Sequence, residues 1–192
     1  MKLITRSNLT ESLSLDKILN RIKDLGNKNN LVVDYDALGL KVVNSIYDGV
    51  TTTELDEEAA RIAATDIVNP DNLKLASLII IDNHHKNTNN SFVDKMRLFF
   101  ERDIIEEEIW HIIESNQNFF NTNVDYSLDF MFDYFGFKTL EKSYLIKVDN
   151  KVVERPQDLI MREALGIHRD DLNAVLESYK LLSKGYFTHA TP

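Results

Sequence analysis

A chain of 192 residues with 43% hydrophobic content has enough apolar mass for one large or two small domains. Its 22 basic and 31 acidic residues give a formal charge of −9, which argues against a nucleic-acid groove; any anionic ligand needs a local basic cluster working against the overall field. The absence of cysteine excludes a disulfide framework, a thiolate zinc site and cysteine-based catalysis within these residues.

No run of about 18 apolar residues occurs, and the apolar stretch at 75–81 is too short to span a bilayer. Residues 1–8 lack the apolar core of a signal peptide, so a cytoplasmic location with neither membrane nor nucleic-acid partner is expected. Leu3 and Ile4 begin a short strand that breaks at Ser7-Asn8. Thr10 or Ser14 offers a cap for a helix carrying Leu15, Ile18, Leu19, Ile22 and Leu25, with Gly26 as its stop. Asp34 or Asp36 caps a second helix through Leu38, Leu40, Val42, Val43 and Ile46, ending at Gly49. Thr53 is the expected cap of a third, with Glu57 or Glu58 in its first turn. Its apolar face of Ala59, Ala60, Ile62, Ala63 and Ala64 suits close helix approach. After Asn69-Pro70 a fourth helix runs from about Asp71 to about Asn87.

The polar stretch 87–91 reads as a domain boundary, giving domains at 1–90 and 91–192. Phe92, Met96, Phe99 and Phe100 predict a helix, and residues 104–113 another. The acidic residues Glu101, Asp103, Glu106, Glu107, Glu108 and Glu114 read as a solvated helix face. The aromatic series Phe130, Phe132, Tyr134, Phe135 and Phe137 reads as core or interdomain packing, with Gly136 making room for a neighbouring element. Residues 144–148 and 151–153 flank Asp149-Asn150 as a hairpin. Pro156 starts a helix that Gly166 stops, and Asp170 or Asp171 caps a last helix through Leu182. The sum is a mainly α (α+β) chain. His84-His85 point about 100° apart on a helix and do not share one metal ion; His111 and His168 read as packing or capping residues.

Two blocks carry a family resemblance. The second runs from Tyr134-Phe135-Gly136-Phe137-Lys138-Thr139-Leu140-Glu141 through Glu154-Arg155-Pro156-Gln157, Met161-Arg162 and Gly166-Ile167-His168 to Tyr186-Phe187-Thr188-His189-Ala190-Thr191-Pro192. It resembles the N-terminal region of the large, catalytic subunit of class I ribonucleotide reductase. The first block is Ile4-x-Arg6, Glu11, Asp16-Lys17-Ile18, Gly49-Val50-Thr51-Thr52, Leu55-Asp56, Ala59-Ala60 and His85-Lys86. It resembles the ATP-cone, a four-helix regulatory domain with a small β cap. The resemblance implies a cone at 1–90 followed by the helical lead-in domain at 91–192, short of the barrel that does the chemistry.

It also implies an allosteric function: ATP or dATP, bound with magnesium, would shift a nucleotide-dependent homo-oligomer between active and inhibited assemblies. The implied nucleotide-binding residues are Arg6, Glu11, Lys17, Thr52, Asp56 and Lys86. Implied partners are the rest of the large subunit and its radical-generating small subunit. The chain would hold no cofactor and no catalytic residue of its own. Thr191 matches a hydroxyl residue that touches substrate in the family.

The resemblance departs at residues 5–9. Thr5-Arg6-Ser7-Asn8-Leu9 stands where the family has Lys-Arg-Asp-Gly-Arg. Two cations are lost, each charge-assisted bond being worth about 1.5–3 kcal/mol, while Asn8 tolerates the left-handed turn. The competing expectation is a degenerate cone that serves only as a structural or subunit-interaction module. A cone-containing transcription regulator would carry a cysteine zinc ribbon, which a chain without cysteine lacks.

Overall fold

The computed structural model describes residues 1–66 and 68–188, which divide into two units. The first unit comprises Met1–Asn87 with Phe132–Lys138, the second Thr88–Met131 with the chain from Thr139 onward. Both are mainly helical, with small sheets.

In the first unit, strands β1 (Lys2–Ile4), β2 (Thr10–Ser12) and β3 (Val50–Thr51) form a sheet in the order β2-β1-β3. β1 runs antiparallel to β2 and parallel to β3, with Ile4 opposite Thr51. The β1–β2 turn closes through Asn8, at φ 60°, whose N–H donates to the Thr5 carbonyl at 2.9 Å. The Thr5 hydroxyl accepts the Leu9 N–H at 3.0 Å, so the divergent residues 5–9 still build a closed turn.

Helices α1 (Leu15–Lys28), α2 (Tyr35–Ser45), α3 (Thr52–Thr65) and α4 (Pro70–Asn87) complete the unit. Ser14 caps α1 and Asp34 caps α2, each through its side chain. Gly26 does not stop α1. It lies inside the helix, buried, where a Cβ would come within 2.1 Å of the Tyr35 hydroxyl. α2 likewise ends at Ser45, before Gly49, which takes a left-handed φ of 87° in the following turn. The cap of α3 is Thr51 rather than Thr53, and Glu54 rather than Glu57 or Glu58 completes a capping box. Against α4 that helix packs Ala59, Ala60, Ala63 and Ala64, all buried, the close approach that small side chains allow.

Of the aromatic series, only Phe137 is buried in this core; Phe132 and Tyr134 pack on it and Phe135 is exposed. Gly136 makes room for no other element. Its N–H donates to the Asp133 carboxylate at 2.6 Å, at the start of α8 (Tyr134–Ser143).

The second unit contains α5 (Phe92–Glu101), α6 (Glu107–Ser115), α7 (Gln117–Asn123), a 3-10 helix at Tyr126–Met131, α9 (Pro156–His168) and α10 (Leu172–Ser183). A hairpin, β4 (Lys147–Val148) and β5 (Lys151–Val152), turns through Asp149 and Asn150. Both turn residues have positive φ, as a two-residue type I′ hairpin loop requires. The core gathers Phe92, Met96, Phe99, Ile113, Phe120, Met161, Leu165, Val175 and Tyr179.

Gly166 lies inside α9, which continues to His168; the left-handed residue is Arg169, at φ 54°. Asp171 caps α10. The acidic residues around α6 are solvent-exposed, and His111 is exposed beside Glu107 and Glu114 instead of packed. His168 bonds Ser178 at 2.7 Å.

The start of α9 holds a buried ionic cluster. Lys95 and Asp158 form an ion pair, and Lys95 Nζ also donates to the Asn89 carbonyl at 3.0 Å. The Tyr126 hydroxyl donates to the other Asp158 oxygen at 2.6 Å, while Asp129 accepts the Gln157 N–H at 3.0 Å. Burial lowers the Lys95 ammonium pKa, which Asp158 opposes, and raises that of the Tyr126 phenol. No described helix is long and apolar enough to cross a membrane.

Candidate functional site

The parallel register of β1 on β3 puts Arg6, two residues beyond Ile4, beside the first turn of α3. There its guanidinium meets three side chains. Nη2 donates to Asp56 at 2.8 Å and to Asn83 at 2.5 Å, and Nε donates to Asn87 at 3.0 Å. Asp56 accepts a second guanidinium, Arg21 of α1, at 2.5 Å. Four elements thus converge: the strand end supplies Arg6, α1 Arg21, α3 Asp56, and α4 Asn83 and Asn87.

Asp56 is the pivot. Its side chain is only 3% exposed, and burial raises its carboxyl pKa while the Arg21 and Arg6 guanidiniums and the Lys86 ammonium pull it down. A carboxylate removed from water persists where charge partners are fixed around it, and here two arginines supply them. The two arginine side chains keep about a quarter of their surface exposed, 25% for Arg6 and 29% for Arg21. Arg21 Nε is buried without a hydrogen-bond partner among the described residues, beside a cavity of about 10 Å³ lined also by Ile18, Ile22, Leu55 and Asp56.

Thr52 stands one turn before Asp56 on α3, its hydroxyl buried and likewise without a partner among the described residues. Thr53 donates to Asn87 at 3.3 Å, tying the start of α3 to the end of α4. Lys86, in the last turn of α4, pairs with Asp82. Lys17 and Glu11 form a separate exposed pair at 3.1 Å between α1 and β2.

Of the six residues read from the sequence, Arg6 and Asp56 are in direct contact, and Lys86 acts on Asp56 electrostatically. Thr52 shares their end of α3. Lys17 and Glu11 contact each other, with no contact to Asp56 or Arg6 among the described interactions. Thr191, and His189 with it, lie outside the described residues. Sequence reasoning missed Arg21, Asp82, Asn83 and Asn87. A helical-face signal existed: Arg21 is one turn from Lys17, and Asn83 and Asn87 are one turn apart. His84 and His85 hold no metal cluster; among the described residues no group of three or more His, Asp or Glu is placed to bind an ion.

The arrangement suits an anion. Two guanidiniums and the Lys86 ammonium gather around Asp56 beside the first turn of α3, a concentration of positive charge of the kind an anion requires.

Comparison with known proteins shows what the chain is similar to. The family described as "Ribonucleotide reductase, all-alpha domain" matches residues 130–192. The ribonucleoside-diphosphate reductase large subunit of Plasmodium falciparum is 41% identical over 201 positions, covering 100% of this chain and 25% of that protein. That of Caenorhabditis elegans is 40% identical over 98% of this chain and 25% of its own length. The Monkeypox virus large subunit is 42% identical over 100% of this chain and 26% of its own length. The chain spans about a quarter of the length of the curated relatives it matches.

Proposed function

Because the chain belongs to the ribonucleotide reductase large-subunit family, as an N-terminal region of it, we propose that it is the allosteric segment of a ribonucleoside-diphosphate reductase. The observation that carries the reading is the convergence of Arg6, Arg21 and Lys86 around buried Asp56 at the start of α3. This is the arrangement a nucleoside triphosphate needs, since its negative charges call for cations from different elements. Arg6 and Lys86 bind phosphate oxygens, Thr52 adds a hydroxyl, and Asp56 holds the two guanidiniums in place. Lys17 and Glu11 flank the ligand, with Glu11 as acceptor for its base or ribose. Magnesium comes with the phosphates rather than from a protein cage.

The first unit, with its four helices and three strands, is the cone on this reading, and the second is the lead-in to the barrel. The reduction itself needs cysteines that these residues lack. ATP or dATP bound here shifts the subunit between assemblies by binding one state better than the other. The partners are the remainder of the large subunit, a radical-generating small subunit and further copies of the same subunit.

Calorimetric titration with dATP and with ATP, paired with light scattering, tests this. Saturable binding that falls at least tenfold in Lys86→Ala and in Arg6→Ala is expected. A folded sample that binds neither nucleotide overturns it and leaves a structural remnant.

A further inference from the structure

Every cation of the candidate site already holds a carboxylate. Arg6 and Arg21 are on Asp56, Lys86 is on Asp82, and Lys17 is on Glu11. An incoming anion therefore competes with internal ones, and the two central carboxylates differ in how they respond. Asp56 is locked, 3% exposed between two guanidiniums. Asp82 is looser, 23% exposed on the same face of α4 as Lys86. A single oxygen of Asp82, Oδ2, contacts Lys86 Nζ and lies 3.6 Å from Arg21 Nη2. It takes the position between two cations that a bridging phosphate oxygen would take.

We propose that Asp82 is an internal competitor for the phosphates of this site and sets its affinity for polyphosphate. The inference rests on the anion-site reading above. A half-exposed i,i+4 pair holds Lys86 weakly, so an incoming phosphate releases it. The Asp82 carboxylate, however, is tethered one turn from Lys86 and remains near the bound phosphate, where like charges repel. A unit charge a few ångströms away that water still screens changes affinity on the order of tenfold, and more for a ligand of higher charge. Asp82 thus penalises a triphosphate more than a monophosphate.

The test is titration of the wild-type chain, Asp82→Asn and Asp103→Asn with dATP, dAMP and inorganic tripolyphosphate. Asp103 is an exposed carboxylate of the second unit at φ 54°, a conformation asparagine accepts, and controls for net charge alone. Asp82→Asn is expected to bind dATP and tripolyphosphate on the order of tenfold tighter, with a smaller gain for dAMP and none in Asp103→Asn. Binding seen only in Asp82→Asn would support competition at an anion site while overturning the allosteric reading of the wild-type chain. If the wild type binds and Asp82→Asn binds equally or more weakly, the competitor role is overturned and the anion site stands. Equal tightening in Asp103→Asn also overturns it, as an effect of net charge. Folded samples of all three that bind nothing sink the anion-site reading itself.

Discussion

Thr51 shows how one residue sets the geometry of the site. Its hydroxyl accepts the Glu54 N–H at 3.1 Å, and the Glu54 carboxylate accepts both the Thr51 N–H at 2.9 Å and the Tyr47 hydroxyl at 3.0 Å. That box fixes where α3 begins, and with it the positions of Thr52 and Asp56. Thr51→Ala is expected to cost about 1 kcal/mol, the worth of a side-chain cap, read by chemical denaturation. The same bonds hold the Glu54 carboxyl below its ordinary 4.5. A depressed carboxyl stabilises the fold above the unfolded value and loses that contribution as pH falls through the folded one. The gap in denaturation midpoint between wild type and Thr51→Ala, followed from neutrality downward, should narrow below pH 4.5 by the share that the Thr51 hydroxyl's 2.8 Å bond to the Glu54 carboxylate carries, while the Glu54 N–H bond to that hydroxyl persists. A gap that stays constant with pH would show that the cap acts without the Glu54 charge.

Two glycines inside helices separate packing from propensity at the scale of the element. At Gly26 an added Cβ would meet Tyr35, 2.1 Å from its hydroxyl oxygen and 2.7 Å from its ring. That hydroxyl is held by the Leu31 carbonyl at 2.9 Å and has little room to retreat. Gly26→Ala should destabilise by about 1–3 kcal/mol despite alanine's better helix propensity. Gly166 in α9 has nothing within 4 Å of the same position and no left-handed φ. Gly166→Ala should stabilise by about 0.5–1 kcal/mol. Thermal melts of the two variants check both signs, and a stabilised Gly26→Ala would refute the close α1–α2 approach. As punctuation in a sequence the two glycines look alike, and both read as helix stops; only the neighbour across the gap tells them apart.

At the scale of the whole molecule, each unit has its own core and its own buried charge. Lys95→Ala would leave Asp158, fully buried, with the Tyr126 hydroxyl and the Arg155 N–H but no cation in contact on its Lys95 side. Breaking such a pair costs about 3–5 kcal/mol, so the second unit should lose stability and amide protection first. Hydrogen exchange with and without dATP gives the complementary result. Ligand protects the state that binds it, so protection should rise in residues of the first unit and carry over to Lys95→Ala at unchanged affinity. Protection confined to the second unit would place the ligand elsewhere.

The sequence by itself determined what is local. Thr10 or Ser14, Asp34 or Asp36 and Asp170 or Asp171 announce helix starts to within a few residues, a fourth helix runs from about Asp71 to about Asn87, and Asp149-Asn150 makes a two-residue hairpin. Each depends on neighbours within a turn or two. It also carried the family resemblance, because motif residues survive as letters. Only the tertiary structure decided the rest. The parallel pairing of Leu3-Ile4 with Val50-Thr51 joins residues 47 apart, as their numbers show, and no periodicity encodes that register. That pairing turns Arg6 from a loop charge into a contact of α3 and α4. The resemblance implies Asp56 as a binding residue, but its two arginine partners and its burial follow only when α1 and the strand end close over it. Arg21 and Asp82 become visible only then, since a charge acquires its role from what other elements bring within a few ångströms.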